Sequence, residues 1–319
     1  MGNPDPLDKN RTLAALASVM GDQLLSFMAD DTISEIMLNS DGTIWIDTLD
    51  KGCIDSGIKM EPMQGKQIIY FVAALSGQVV DIDKQPYLEA EIKGGSLFAN
   101  CRFQGELPTI VDAPSFNIRK HSKQIFTLDD YVAQGAMTER QKEALLESIR
   151  THKNIIAAGG TASGKTTMLN AILQEISKST DRVILIEDTP ELQCTAKNHQ
   201  NLRTKEPGVD MDRLLRITLR KSPKRIVVGE VRGKEVLTLL TAWSTGHRGG
   251  CSTVHSDSAL DTLYRMEDMA SEPLQARIGR AIDLVVYLRM NGVKRVVEEI
   301  LQVDRYDKSS QEYITFPIG

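Results

Sequence analysis

Residues 155–167 read Ile155-Ile156-Ala157-Ala158-Gly159-Gly160-Thr161-Ala162-Ser163-Gly164-Lys165-Thr166-Thr167, a short apolar run that enters a glycine-rich turn. Gly159, Gly164, Lys165 and Thr166 match G-x-x-x-x-G-K-[ST], the pattern of a loop that cradles phosphate. Glycines allow backbone N–H groups to turn inward around a polyanion, because no Cβ blocks the required dihedrals. A helix that starts there points its positive end at the same anion. Beyond the loop, Met168, Leu169, Ile172, Leu173 and Ile176 recur at helical spacing, so strand, loop and helix follow in the right order. In such a loop Lys165 reaches the β- and γ-phosphates of a nucleoside triphosphate, and the Thr166 hydroxyl ligates Mg²⁺.

A chain of 319 residues predicts about two domains. With 41% apolar and 25% charged residues it has the composition of an ordinary globular protein. The formal net charge is −5, so no global basic field draws the chain onto nucleic acid, and no sequence-specific nucleic-acid binding is expected. Cys53, Cys101, Cys194 and Cys251 are far apart and form no C-x-x-C pair, which predicts reduced thiols in a cytoplasmic setting. No apolar run approaches the roughly 18 residues of a membrane span. Asp5, Asp8 and Lys9 precede any apolar segment, unlike a signal peptide. Membrane association is therefore expected to be peripheral.

Taken in order, residues 11–28 predict an amphipathic helix with Leu13, Leu16, Ala17, Met20, Leu24 and Phe27 on one face. Residues 33–47 predict two strands around a turn at 39–42, and residues 62–75 a second helix. In a strand over 97–103, Leu97, Ala99, Cys101 and Phe103 share a face, which puts Arg102 on the other. Phe116 and Ile118 likewise leave Asn117 and Arg119 opposite. Residues 1–120 thus predict a smaller α+β domain, 121–135 a linker, and 136–319 a second domain. Thr138 with Gln141 three residues on predicts a capped helix to about 151. Apolar strands at 154–158, 183–186, 226–228, 251–254 and 284–288, with helical stretches between most of them, predict an α/β domain with a largely parallel sheet. Residues 296–303 and 313–318 predict an antiparallel edge.

Hydrolysis needs a positioned water and carboxylates around Mg²⁺. The strand ending at Gly229-Glu230 and the one ending at Glu187-Asp188 supply acids where ligands sit in parallel α/β sheets. Glu230 is assigned to the attacking water, Glu187 and Asp188 to the metal. Gly229 stands where many such enzymes carry Asp, so another residue must fill that place. His255 follows the apolar run 251–254 and is placed to contact the γ-phosphate and report its loss. His121, His152 and His199 read as surface or packing residues, and His247 stays open.

Gly159–Thr167 and three further stretches, Ile186-Glu-Asp-Thr-Pro-Glu-Leu192, Ile226-Val-Val-Gly-Glu-Val-Arg-Gly-Lys-Glu235 and Gly246-His-Arg-Gly-Gly-Cys-Ser-Thr-Val-His255, resemble the Walker A, Asp-box, Walker B and His-box motifs of the secretion ATPase superfamily. Residues 34–39, 101–103 and 117–120 resemble its N-terminal domain. No four-cysteine zinc spacing occurs, which favours the VirB-type traffic ATPase branch of type IV secretion and conjugation. The resemblance implies a RecA-like P-loop domain and a homohexameric ring. It further implies peripheral attachment to the inner membrane through channel components. ATP and Mg²⁺ are the implied ligands. Lys165, Glu187, Glu230 and His255 match the catalytic set, with Arg102 and Arg119 reaching the nucleotide phosphates from the first domain. Relatives often carry Arg where Ser222 stands, so Arg220 or Arg225 is the candidate for an inter-subunit arginine. Ala162 replaces a common Gly at a position taken to need only a small residue.

Two other classes compete with a motor. A nucleotide-gated scaffold would bind ATP with little turnover, against which the intact Glu230 and His255 speak. A nucleic-acid motor is disfavoured by the acidic net charge.

Overall fold

The computed structural model describes residues 6–92, 98, 101–120, 125–205, 208–270 and 272–319. The chain divides into two compact units, Met1–Gln124 and Ile125–Gly319.

In the first unit, helix α1 (Pro6–Ala29) precedes strands β1 (Ile33–Leu38), β2 (Thr43–Thr48) and β3 (Gly52–Lys59). Helix α2 (Pro62–Ser76) and strands β4 (Tyr87–Ile92), β5 (Cys101–Glu106) and β6 (Ser115–Arg119) follow. The strands form one antiparallel sheet in the order β3-β2-β1-β6-β5-β4. Leu16, Met20 and Leu24 of α1 and Ile68, Ile69 and Val72 of α2 share a core with Ile36, Phe103, Phe116 and Ile118 of the sheet.

Two expectations change here. The predicted first helix is broken at Gly21, whose φ of 70° and ψ of 168° leave the helical region at low steric cost only for glycine. One segment, Lys9–Ala29, has the length and mean hydropathy (1.3) of a membrane span, contrary to the expectation that none does. Its stripe Leu16, Met20, Leu24 and Met28 is buried in the unit's own core. Of the strand predicted over 97–103, Leu97 and Ala99 lie outside the described residues, and β5 starts at Cys101.

The second unit opens with α3 (Leu128–Ala133) and α4 (Glu139–Arg150). The predicted linker is thus partly a structured element. Phe126, Leu128 and Tyr131 belong to the core of this unit, because their apolar area is better buried than left in water. Its residues 121–124, His121 included, lie outside the described residues. The alternation then runs β7 (Ile155–Gly159), α5 (Lys165–Ser177), β8 (Val183–Glu187), β9 (His199–Arg203), α6 (Met211–Thr218), β10 (Arg225–Val228), α7 (Glu235–Ser244) and β11 (Cys251–Val254). Helices α8 (Ala259–Asp268) and α9 (Gln275–Ala281) and strands β12 (Leu284–Asn291), β13 (Lys294–Asp307) and β14 (Glu312–Ile318) complete it.

The sheet order is β14-β13-β12-β7-β11-β10-β8-β9. Neighbours from β12 to β9 pair in parallel, while β13 and β14 are antiparallel. Strand β9 is absent from the sequence reading because His-Gln-Asn-Leu-Arg has no apolar periodicity; it is a polar edge. Successive side chains of the central strands go to opposite faces. Ile156, Ile184, Ile226 and Val254 enter one core and Ile155, Val183, Val227 and Cys251 the other. Two covered faces explain why these strands read as unbroken apolar runs.

Candidate functional site

Parallel pairing puts the C-terminal ends of β7, β8, β10 and β11 along one edge of the sheet. Each of the four motifs includes such an end. At the end of β7, Gly159 has φ 148°, and a Cβ there would lie 2.3 Å from the Leu288 carbonyl oxygen and 2.6 Å from Ser163 Oγ. Gly164 precedes α5 in the left-handed region (φ 94°). Lys165 is buried and donates to the Gly159 and Gly160 carbonyls at 3.0 and 2.7 Å, within the loop it follows. Ser163 is buried too, with its hydroxyl unbonded. Thr166 and Thr167, in the first turn of α5, are half-buried, while Thr161 is exposed.

Ala162 corrects one expectation. It adopts φ 60°, so the position demands a left-handed backbone and not merely a small side chain. Arg295 Nε donates to its carbonyl at 3.1 Å.

Three of the assigned residues stand in one line of close contacts. His255 Nδ1 lies 3.2 Å from Lys165 Nζ, and Nε2 lies 3.2 Å from Glu230 Oε1. An ammonium only donates, so Nδ1 is the acceptor in the contact with Lys165. Glu230 Oε2 accepts from Arg232 Nη2 at 2.5 Å, and Arg232 Nη1 stands 3.9 Å from Asp188 Oδ2. Asp188 is exposed and meets the site through this arginine, which the sequence reading did not assign.

Glu187 has the opposite setting to Asp188. It is 2% exposed, and its Oε1 accepts from the backbone N–H of Glu191 (2.8 Å) and Leu192 (2.7 Å). Its Oε2 is buried without a hydrogen bond. Burial pushes its carboxyl up to about 7 against the pull of those two N–H groups. A Cβ on Gly229 would lie 3.3 Å from Glu187 Cγ, so Glu187 packs closely over Gly229 and a side chain there would crowd it.

The loop glycines, the helix start and the unbonded buried carboxylate oxygen of Glu187 fit a polyphosphate with a hard cation, which takes oxygen ligands.

Other assignments are altered. Arg225 is no candidate for contacts outside the chain. It is 2% exposed, ion-paired with Asp181 at 2.7 Å, and donates to the carbonyls of Gly249 and Ile149. Arg220 is exposed. His152 pairs with Asp181 at 3.1 Å, His199 lies on β9, and His247 Nδ1 approaches the Pro223 carbonyl at 3.1 Å.

Within the first unit, Arg102 and Arg119 face each other across β5 and β6. Glu91 stands opposite Arg102, and Glu35 opposite Arg119. The row runs carboxylate, guanidinium, guanidinium, carboxylate. Cys101, Phe103, Phe116 and Ile118 are buried on the other face.

A family described as "Type II/IV secretion system protein" matches residues 20–308. The chain belongs to that family. It is an ATPase by family and by the phosphate loop it carries. Among its relatives, the conjugal transfer protein TrbB of Rhizobium radiobacter is 42% identical over 302 residues, spanning 93% of this chain and 91% of that protein. The type IV secretion system protein PtlH of Bordetella pertussis is 28% identical, over 86% of this chain and 91% of its own. The crystal structure of the pilus retraction motor PilT with bound ADP shares the fold. Its TM-score is 0.62 at 18% identity, covering 92% of this chain and 81% of that one.

Proposed function

We propose that this secretion ATPase is a hexameric, Mg-ATP-hydrolysing traffic ATPase of a conjugative type IV secretion system, with a RecA-like second unit. It would work peripherally at the cytoplasmic face of the inner membrane, powering pilus assembly or substrate transfer through channel components docked on it. The relatives named for conjugal transfer and type IV secretion support the setting. One observation supports the chemistry most: Lys165, His255 and Glu230 are linked nitrogen to nitrogen and nitrogen to oxygen at the edge where the phosphate loop opens.

In this proposal the loop N–H groups and Lys165 hold the β- and γ-phosphates, with Thr166, Glu187 and Asp188 on the metal side, directly or through water. Mg²⁺, when bound, would neutralise charge on the phosphate oxygens. Glu230 accepts a proton from the attacking water. Its second oxygen stays tied to Arg232, which fixes the carboxylate's direction. His255 must release Lys165 for the ammonium to turn from the loop carbonyls to the γ-phosphate, so its position depends on whether that phosphate is present. Arg102 and Arg119 are proposed to grip the phosphates from the first unit, and loss of the γ-phosphate would loosen that grip. Both side chains leave the apolar face of their strands, which supports this.

The test is steady-state ATP turnover. Lys165→Ala and Glu230→Gln should each lower kcat by about 100-fold or more, with far-UV spectra unchanged. Turnover near the unsubstituted rate in either variant would remove the site assignment.

A further inference from the structure

Helix α5 carries a polar stripe of Asn170, Gln174 and Ser177, spaced four and three residues apart. Asn170 is 8% exposed. These side chains meet the backbone of the irregular segment after β8 at alternate residues. Asn170 Nδ2 donates to the Glu191 carbonyl at 3.1 Å, and Asn170 Oδ1 accepts from Gln193 N–H at 2.8 Å. Gln174 Nε2 donates to the Gln193 carbonyl at 3.2 Å, and Ser177 Oγ accepts from Thr195 N–H at 3.2 Å. The spacings match, since four helical residues rise about 6 Å and two extended residues span about 6.6 Å.

The segment lacks helix or strand partners of its own. Buried backbone groups must be bonded somewhere, and here α5 bonds them. The same segment offers the Glu191 and Leu192 N–H groups that clamp Glu187 Oε1. Asn170 grips the carbonyl of Glu191 and the N–H of Gln193, on either side of Leu192. Its helix begins at Lys165, so a rigid element runs from the phosphate loop to the residues that aim the buried carboxylate.

We infer that Asn170 is a positioning residue of the ATPase site, holding residues 191–193 against α5 so that Glu187 is presented in register with Lys165 and Thr166. The inference rests on the assignment of Glu187 to the metal side of the site. Asn170 touches no reacting atom; it acts through the backbone that holds Glu187.

The experiment is a double-mutant cycle on the full chain, with Asn170→Ala, Asn170→Asp, Glu187→Gln, the Asn170→Ala/Glu187→Gln pair, and Ser177→Ala as a control at the far end of the stripe. ATP turnover is read against both ATP and Mg²⁺ concentration, with Tm alongside. Asn170→Ala should lower kcat about tenfold and raise the half-saturating Mg²⁺ severalfold, with KM for ATP within twofold. Asn170→Asp keeps the acceptor for Gln193 N–H and loses the donor to Glu191, so it should fall between. Ser177→Ala should lower Tm with kcat near the unsubstituted value. The pair should be no slower than Glu187→Gln alone. A merely structural role would move Tm in proportion to kcat and leave the Mg²⁺ dependence alone, and that result would overturn the inference. Additive losses in the pair would also overturn it. If Glu187→Gln itself turned over normally, the Glu187 assignment would fall first, a result distinct from an unaffected Asn170→Ala beside an inactive Glu187→Gln.

Discussion

Glu187 is the residue whose behaviour the sequence could least foretell. Its carboxyl sits at about 7 against an ordinary 4.5, so between those values the folded chain holds a proton that the unfolded chain has lost. The contribution is intact below pH 4.5 and is lost as pH rises through 7, a gap of roughly 3 kcal/mol. Glu187→Gln should therefore be more stable than the unsubstituted protein at pH 8 by up to about 3 kcal/mol, and equal to it near pH 4. Urea unfolding of nucleotide-free protein in chelator checks this; a difference that ignores pH would refute it. Ala162 offers a second test at this scale. Its φ of 60° costs a Cβ-bearing residue about 1 kcal/mol, so Ala162→Gly should raise stability by up to that amount, opposite in sign to the same change within a helix.

Among the elements, those with local signals were legible. The Thr138–Gln141 pair was expected as a capping box, and both bonds are present at 3.1 and 3.0 Å. Thr138→Ala should lower stability by about 1 kcal/mol in thermal unfolding, because it orphans an N–H at the start of α4. The five apolar strands were visible because burial on both faces leaves no polar alternation. Strand β9 was invisible for the converse reason: a polar edge strand is held by backbone bonds to β8, which leave no mark on side-chain periodicity. Gly21 hid the break in α1, since one glycine in a periodic run reads as tolerated rather than as a turn.

For the whole molecule, the two units carry separate cores, and the proposed function asks them to share one substrate. Arg102→Ala and Arg119→Ala in the full chain should each raise KM for ATP severalfold, while Tm shifts little because both residues leave the apolar face of their strands. An unchanged KM in both would confine the substrate to the second unit. Sedimentation with Mg-ATP should report a six-subunit species, and a monomer under all conditions would remove the ring from the proposal.

The sequence by itself determined where the phosphate-loop motif lies, where acids follow apolar strands, and which side of a strand Arg102 and Arg119 take. Those properties depend on motif spacing and on periods of two or 3.6 residues, all short-range. Only the tertiary structure decided that His255 stands between Lys165 and Glu230, that Glu187 packs against Gly229, and that Arg225 is spent internally. The reason is the strand order: β11 lies between β7 and β10, and β10 beside β8, so neighbours in space are remote in the chain. Crossover helices set that adjacency, and no local pattern encodes which side chains then come within hydrogen-bonding distance.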